Sequence, residues 1–476
     1  MRMAGLTAPA MRYVSTRGNA PVLDFRGVTL TGLAADGGLY VPEAWPTLSE
    51  DAIAALAGLS YVDTAVAVMT PFVGGVLTSP ELRQLCETAY GRFAHAAVTP
   101  LVQLDHDRWL LELFHGPTLA FKDVALQLLG QLFERFLSGT DKRLTIVGAT
   151  SGDTGSAAID AVAGRDGIDI FMLHPQGRVS EVQRRQMTTV LSPNVHNVAI
   201  DGDFDTAQAL VKAMFNDRAF ADRFALSAVN SINWARLMAQ VVYYFYAAVR
   251  LGAPERAVAF SVPTGNFGNV LAGYVAAKMG LPVARLIVAT NVNDILHRAL
   301  SAGDYSKGQV QQTATPSMDI QVSSNFERLL HDLGGRDGPA LSAQMGGFET
   351  SGAMRLSNAQ HGGAGPLLVS DRVDADDMAD AMRWACEAAG EVIDPHTAIA
   401  LAAARRTRAE RGIPVVTLAT AHPAKFPDAV ERATGVRPPL PARLGDLHDR
   451  EERYATLPCT FAAVTAYIGE HAQPSR

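Results

Sequence analysis

The chain has 476 residues, of which 48% are hydrophobic and 19% are charged, and its formal net charge is −7. This length exceeds what one hydrophobic core normally fills, so we expect two or three domains. The negative charge argues against nucleic acid as a partner, and three scattered cysteines are too few for a disulfide framework or a zinc site. No uncharged run approaches the ~20 residues that span a bilayer. We therefore expect a cytoplasmic protein that binds a small molecule, without a metal and without membrane contact.

The N-terminal part of the chain differs in pattern from the rest. Residues 1–98 combine helical stretches with loops rich in Gly and Pro, and they include no strand that leads into a phosphate-type loop. We predict a separate N-terminal domain over residues 1–98. Residues 1–10 are weakly patterned, and chain ends outside a core are usually mobile. We therefore expect residues 1–10 to contribute nothing to catalysis, with Met11 as a candidate natural start.

Lys122 lies in the segment His-Gly-Pro-Thr-Leu-Ala-Phe-Lys-Asp, residues 115–123, which leads into an apolar run with helical spacing. Desolvation at such a helix start lowers the pKa of an amine, and a neutral amine can attack an aldehyde. Lysine is scarce in this chain, since the others are only Lys142, Lys212, Lys278, Lys307 and Lys425. We predict that Lys122 forms a Schiff base with pyridoxal phosphate; the alternative is a surface lysine.

Strands alternate with helices from residue 144 onward, which indicates a parallel sheet with helices on both faces. The predicted strands are Leu144–Ala149, Ile168–Leu173, Val195–Ile200, Ala257–Val262, Ala284–Ala289 and Pro414–Leu418. The predicted helices are Gly152–Ala163, Phe204–Arg218, Trp234–Leu251, Asn269–Met279 and Thr397–Arg411. We assign residues 146–251 to a small αβα domain and residues 99–145 and 252–476 to a large domain, with an irregular insertion at about residues 303–365.

Two glycine loops follow predicted strands and open helices. In residues 263–269, backbone N–H groups at a helix N-terminus would form an anion site, although a tight turn without a ligand is an equal alternative. Residues 150–156 are richer in hydroxyls and suit a second anion or a substrate carboxylate. These residues are also what helix N-caps prefer, and the two roles are compatible.

Two further segments carry polar groups at element ends. Residues 230–236 place Asn230, Ser231 and Arg236 on one turn, and an arginine with amides and a hydroxyl can hold a phosphate. A solvated surface charge is the alternative for Arg236, but the apolar neighbours favour a partly buried turn. Thr420 follows the strand 414–418, at the end where ligands dock in open α/β sheets, or it is an ordinary loop threonine.

The segment 112–126 resembles the pyridoxal-phosphate attachment site of the serine/threonine dehydratase superfamily, the fold type II enzymes. Within that superfamily the chain is most similar to threonine synthase in its longer bacterial and fungal form. The matching blocks occur in order along nearly the whole chain, at residues 13–18, 148–156, 230–236, 316–321 and 422–426.

The resemblance implies an α/β fold of type II, similar to the tryptophan synthase β subunit. It consists of two open αβα domains with pyridoxal 5′-phosphate between them, preceded by a smaller N-terminal domain. The implied cofactor-binding residues are Phe121, Lys122, Asp153, Gly265, Asn266, Phe267, Gly268, Asn269 and Thr420. The implied substrate-binding residues are Thr150, Ser151, Thr154, Asn230, Ser231 and Arg236. Asp153 occupies a position where relatives often carry asparagine beside the cofactor's 3-hydroxyl, and Thr420 would face the pyridine nitrogen.

The implied reaction converts O-phospho-L-homoserine and water to L-threonine and phosphate, the last step of threonine biosynthesis, with Lys122 as the catalytic residue. This is a carbon–oxygen lyase acting on phosphates, and we expect a monomer or weak oligomer. One alternative is a β-eliminating dehydratase of serine or threonine, which needs only one phosphate site. Another is a nucleotide-binding regulatory or dehydrogenase-like protein, but neither glycine loop matches Gly-x-Gly-x-x-Gly and Lys122 would then be unexplained.

Overall fold

The structure is a computed structural model that describes residues 10–407 and 412–473. Its strands are β1 Tyr13–Ser15, β2 Tyr40–Pro42, β3 Leu101–Gln103, β4 Arg108–Glu112, β5 Leu144–Ala149, β6 Ile168–Pro175, β7 Val195–Ile200, β8 Leu226–Ser227, β9 Val258–Pro263, β10 Val283–Thr290, β11 Leu368–Arg372, β12 Val415–Ala419 and β13 Ala455–Leu457. The expectations for residues 1–9, and for the end of the helix predicted over 397–411, fall outside the described residues.

The α-helices are α1 Phe25–Thr31, α2 Glu50–Ala54, α3 Tyr61–Val73, α4 Ser79–Tyr90, α5 Lys122–Leu137, α6 Asp153–Val162, α7 Glu181–Thr188, α8 Phe204–Asn216, α9 Arg218–Phe224, α10 Trp234–Arg250, α11 Gly268–Lys278, α12 Ile295–Ala302, α13 Phe326–Leu333, α14 Gly338–Ser351, α15 Asn358–Ala364, α16 Ala375–Ala388, α17 Pro395–Arg406, α18 Pro427–Thr434 and α19 Phe461–His471. Single 3₁₀ turns occur at Pro316–Met318, Pro423–Lys425 and Ala442–Leu444. Among the described residues, no helix combines the length and the apolar character needed to cross a bilayer.

The chain divides into two compact units. The first unit runs up to His115 and from Ser231 to Pro438; the second runs from Gly116 to Asn230 and from Pro439 onward. These bounds do not follow the predicted domain boundaries, because α5 packs on α6 and strand β13 pairs with β7. The three-domain division itself stays a prediction.

The first unit contains a six-stranded sheet with the order β11-β10-β9-β12-β4-β3. Its strand pairs are parallel except for β3, which pairs antiparallel with β4. Every residue of β9 and β12 is buried, as expected for parallel strands that helices cover, and α11 and α17 pack against them. The carboxyl ends of β4, β9 and β12 therefore lie along one edge, which is the ligand-binding edge of open α/β sheets.

The N-terminal part of the first unit packs on the buried helix α10. A short antiparallel ribbon pairs β1 with β2, and the ring of Tyr13 lies 5.8 Å from that of Trp234 in α10. Phe72 of α3 contacts Trp234 at the same centroid distance. The helix predicted over Trp234–Leu251 is thus buried at the centre of this packing.

The second unit contains a parallel five-stranded sheet with the order β13-β7-β6-β5-β8. Strand β6 is buried along its whole length, and α6 and α8 pack against the sheet. The predicted strands 144–149 and 195–200 agree with β5 and β7 at both ends, and the other predicted strands and helices are present with at least one end shifted by one to a few residues where they are described. The remaining strands, β1, β2, β3, β4, β8, β11 and β13, were not predicted, since each has at most five residues and so gives little pattern in the sequence.

Candidate active site

Lys122 is the first residue of α5 and belongs to the second unit. The turn before it is fixed by Asp123, whose carboxylate accepts from the Thr118 backbone N–H at 2.8 Å and from the Thr118 hydroxyl at 2.7 Å. Gly116 lies against this carboxylate, and a Cβ at that position would come within 2.4 Å of the Asp123 Cβ. Residues 116–123 therefore form a tight turn, and Lys122 lies at the start of the helix that follows, as predicted.

The Lys122 side chain is buried, with 8% of the residue exposed. Its Nζ lies 3.5 Å from Asp153 Oδ2 and 4.9 Å from the centre of the Phe121 ring. The other Asp153 oxygen accepts from Gln183 Nε2 at 2.8 Å. The alternative of a surface lysine is therefore wrong, and the structure brings the three predicted residues Phe121, Lys122 and Asp153 together.

Gln183 was not predicted from the sequence. It lies in α7, where Ser180 caps the helix and donates to Gln183 Oε1 at 2.9 Å. This bond fixes the amide so that its nitrogen points to Asp153. A glutamine in a polar helix start gives no sequence signal of its own, because its partner is 30 residues away.

The loop 150–156 joins β5 to α6 in the same unit. The Thr150 hydroxyl oxygen accepts from the N–H groups of Gly152 and Gly155, both at 2.9 Å, so this residue supports the loop. Gly152 has a φ of +133°, and a Cβ there would meet the Gln183 side chain at 2.6 Å. Ser151 and Thr154 are half-buried. The N-cap of α6 is Gly152, which has no side chain to cap the helix, and Thr150 lies two residues before it. The predicted contact of Thr150 with substrate stays a prediction.

The loop 263–269 joins β9 to α11 in the first unit. Phe267 has a φ of +63°, which is uncommon for a residue with a side chain, and it serves as the N-cap of α11. A Cβ on Gly265 would lie 2.3 Å from the Ser317 carbonyl oxygen, so only glycine fits. Asn269 is held by Tyr243, which donates to its side-chain oxygen, and by Tyr244, which donates to its carbonyl at 2.7 Å. The first turn of α11 follows this rigid loop, and such turns present unpaired N–H groups to anions.

Residues 231–236 lead into α10, also in the first unit. Asn233 caps the helix by accepting from the Ala235 N–H at 3.0 Å, and its amide donates to the Thr29 carbonyl at 2.8 Å. Arg236 follows in the first turn with only 2% of its surface exposed, and this burial lowers the pKa of Arg236 to about 10. The alternative of a solvated surface arginine is therefore wrong. Asn230, the last residue of this stretch of the second unit, is exposed.

Thr420 is buried directly after β12, on the carboxyl edge of the six-stranded sheet. Its N–H donates to the Thr397 hydroxyl at 3.3 Å, and that hydroxyl donates to Asp394. Asp394 caps α17 and also lies 2.8 Å from His396 Nδ1. This buried chain of hydrogen bonds holds the backbone at Thr420.

Known proteins match this chain along nearly its full length. Residues 12–90 match the family profile described as threonine synthase N terminus, residues 93–343 that of pyridoxal-phosphate dependent enzymes, and residues 397–468 that of threonine synthase, C-terminal. A threonine synthase from Pseudomonas aeruginosa is 54% identical over 462 residues, which cover 97% of this chain and 98% of the relative. The chain belongs to the threonine synthase family. Another member, from Methylobacillus glycogenes, is 41% identical over 97% of this chain and 100% of its own length.

Solved structures of the threonine synthase family agree with the fold described above. The crystal structure of threonine synthase with bound pyridoxal phosphate from Brucella melitensis has a TM-score of 0.95 and 53% identity, and it covers 98% of this chain and 100% of that one. The yeast threonine synthase has a TM-score of 0.92 and 38% identity, with 97% and 99% coverage. The predicted type II fold is therefore confirmed, whereas the roles of single residues stay predictions.

Proposed function

We propose that this chain converts O-phospho-L-homoserine and water to L-threonine and phosphate, with pyridoxal 5′-phosphate as its cofactor. The observation that carries this proposal is the 54% identity to a threonine synthase across 97% of the chain. The substrate is a small molecule, in keeping with a net charge of −7 and no basic cluster. We keep the cytoplasm as the expected location and a monomer or weak oligomer as the expected state.

The residues around Lys122 fit the cofactor. A buried primary amine can bind the aldehyde carbon covalently, and the scarcity of lysine in this chain supports the choice of Lys122. When bound, pyridoxal phosphate supplies an electron sink for negative charge at the substrate carbons. Asp153 would lie beside its 3-hydroxyl and Phe121 beside the lysine. The amide of Gln183 keeps the Asp153 carboxylate turned toward Lys122.

Two other segments complete the cofactor contacts in this proposal. The residues Gly265, Asn266, Phe267, Gly268 and Asn269 bind its phosphate through N–H groups at the start of α11. Gly265 supports this role because the packing against Ser317 leaves no space for a side chain. Thr420 would face the pyridine nitrogen with a neutral hydroxyl. Its backbone N–H donates to the Thr397 hydroxyl, which donates in turn to Asp394, and these bonds keep the backbone at Thr420 in place.

The substrate is held by its two anionic groups. Arg236, Ser231 and Asn230 bind the phosphate of O-phosphohomoserine, and the burial of Arg236 supports this, because a buried guanidinium requires an anion or hydrogen-bond acceptors. Thr150, Ser151 and Thr154 bind the carboxylate. Lys122 would remove one proton from Cα and one from Cβ, and it would return protons to Cγ and to Cα. Phosphate leaves from Cγ and takes the C–O electron pair, and water adds its oxygen to Cβ.

A product assay tests this function against the dehydratase alternative. The purified protein with pyridoxal phosphate should release phosphate and L-threonine in equal amounts from O-phospho-L-homoserine. L-Serine and L-threonine should yield little 2-oxo acid and ammonia under the same conditions. Rapid formation of 2-oxo acid from either amino acid, with no threonine from O-phosphohomoserine, would instead identify a β-eliminating dehydratase.

A further inference from the structure

Asn325 contacts both phosphate-binding segments of the first unit. Its side-chain Nδ2 donates to the carbonyl oxygen of Ser231 at 3.1 Å and to that of Asn266 at 3.0 Å. Its backbone N–H donates to the same Asn266 carbonyl at 3.1 Å. Asn325 has no exposed surface, so these bonds form out of water, where an unsatisfied carbonyl is costly. One buried amide thus joins residues 231–236 to the loop 263–269.

Arg328, one turn further along α13, supports this amide. Its Nη1 donates to Asn325 Oδ1, which leaves the Asn325 nitrogen directed at the two carbonyls. Its Nη2 donates to the Ile232 carbonyl at 2.6 Å, and its Nε donates to the Tyr40 carbonyl at 3.0 Å. Burial lowers the pKa of Arg328 to about 9. A fully buried guanidinium that bonds one amide and two backbone carbonyls fixes their positions through its planar geometry.

Ser323 and Ser324 extend the same segment toward both loops. The Ser323 hydroxyl donates to the Gly265 carbonyl at 2.7 Å. The Ser324 hydroxyl, which is half-buried, lies 3.3 Å from Ser231 Oγ and 3.4 Å from Asn266 Oδ1. We call residues 323–328 the clamp segment. Its side chains contact backbone carbonyls of both loops and also the side chains of Ser231 and Asn266.

The carbonyl bonds determine where the neighbouring N–H groups point. In a trans peptide, the C=O of one residue and the N–H of the next point in opposite directions. Carbonyls of Gly265 and Asn266 that face the clamp segment therefore turn the N–H groups of Asn266 and Phe267 away from it. The bonds to the Ser231 and Ile232 carbonyls do the same for the N–H groups of Ile232 and Asn233. Both loops thus present successive N–H groups on the side opposite the clamp segment, which is the arrangement that binds phosphate.

We infer that the clamp segment positions the N–H groups of both phosphate sites, with Asn325 as the positioning residue they share and Ser324 as an additional polar group between them. The substrate half of this inference rests on the proposed function, whereas the cofactor half does not. Neither Asn325 nor Ser324 needs to touch a reacting atom for this role.

Asn325→Asp tests the inference with almost no change in shape. The carboxylate still accepts from Arg328 but no longer donates to the carbonyls, so the Ser231 carbonyl loses its amide donor and the Asn266 carbonyl keeps only the backbone N–H of residue 325. Binding of pyridoxal 5′-phosphate, followed by fluorescence, should weaken by about 10-fold, because one lost hydrogen bond to a buried acceptor corresponds to roughly that factor. Binding of pyridoxal, which lacks the phosphate, should stay unchanged. The KM for O-phospho-L-homoserine should rise by a similar factor, while kcat changes less.

The neighbouring residue Val322, which is 45% exposed, supplies a matched control, and Val322→Ala should leave all these quantities unchanged. A folded Asn325→Asp protein that binds pyridoxal phosphate, pyridoxal and O-phosphohomoserine as the wild type does would overturn the inference. An equal loss for pyridoxal and pyridoxal phosphate would also overturn it, because the defect would then not concern the phosphate.

If Asn325→Asp does not fold, Ser324→Ala decides the matter. We expect an unchanged melting temperature and a KM for O-phosphohomoserine that is raised by about 3-fold or more, together with weaker competition by inorganic phosphate. An unchanged KM and unchanged inhibition by phosphate would contradict the role of the clamp segment. A wild-type protein that makes no threonine would instead contradict the proposed function, and the comparison of pyridoxal with pyridoxal phosphate would still test the cofactor half.

Discussion

Lys122 and Arg236 are both buried basic residues, but their surroundings differ. Lys122, in the second unit, has a carboxylate at 3.5 Å, and that carboxylate is held by the side chain of Gln183. Arg236, in the first unit, follows a turn whose carbonyls are bound by Asn325 and Arg328. The lysine region is thus arranged mainly by side chains, and the arginine region mainly by backbone carbonyls. The first arrangement suits a group that exchanges protons, and the second suits a fixed anion site.

The largest effect is expected from removing the lysine. Lys122→Ala should lower kcat by about 10³-fold or more, since it removes both the covalent attachment and the proton-transferring amine. Treatment with borohydride followed by peptide mapping should find the cofactor on the peptide of residue 122 in the wild type and nowhere in the variant. Lys212→Ala, at an exposed position of α8, is the control and should behave as the wild type. Reduced cofactor on another lysine would show that Lys122 was misassigned.

Replacing the arginine should affect substrate binding alone. Arg236→Met keeps the length and apolar packing of the side chain but removes the guanidinium, so the substrate should bind about 1.5–3 kcal/mol more weakly. Pyridoxal phosphate should bind as before, because the proposed loop for its phosphate, residues 263–269, does not include Arg236. Arg250→Met, at the exposed end of the same helix, is the control. Loss of the cofactor with unchanged substrate binding would show that Arg236 binds the phosphate of the cofactor and not that of the substrate.

The loop 263–269 lies in the same unit as Arg236, and its fixed backbone can be tested at Gly265. Gly265→Ala would place a Cβ 2.3 Å from the Ser317 carbonyl, so the loop must shift. We expect affinity for pyridoxal phosphate to fall by about 10-fold, equivalent to ~1.4 kcal/mol. Gly346→Ala, in α14 with open space around it, should have no effect. Equal cofactor affinity in both variants would mean that this loop does not bind the phosphate.

The smallest expected effect concerns acid stability near the clamp segment. Burial, with a further contribution from Arg336, lowers the pKa of His331 in α13 from 6.5 to about 4, and Asp332 opposes this shift. As the pH falls, the unfolded chain therefore binds this proton before the folded protein does. The contribution of His331 to the free energy of unfolding is fully present above about pH 6.5 and is lost as the pH falls toward 4. The loss amounts to about 2–3 kcal/mol. His331→Gln should flatten the pH dependence of urea unfolding in this range, whereas the exposed His106→Gln should not. The same slope in His331→Gln as in the wild type would mean that other groups cause it.

The type II fold and the buried settings of Lys122 and Arg236 could be predicted from the sequence. The start of α5 at Lys122 and the strand β5 are visible because apolar periodicity and turn residues lie within a few positions of each other. Gln183, Asn325 and Arg328 could not be found in this way. Their partners lie 30 to 288 residues away, so only the folded chain brings them together. Single polar residues at helix starts have many possible roles, and the sequence favours none of them.

In the proposed reaction, phosphate leaves by cleavage of the carbon–oxygen bond and water adds to carbon. The most direct measurement is turnover of O-phospho-L-homoserine in ¹⁸O-labelled water, with mass spectrometry of both products. We predict one ¹⁸O atom in the hydroxyl group of threonine and none in the released phosphate. Label in the phosphate, with homoserine as the other product, would show hydrolysis at phosphorus and would contradict this account.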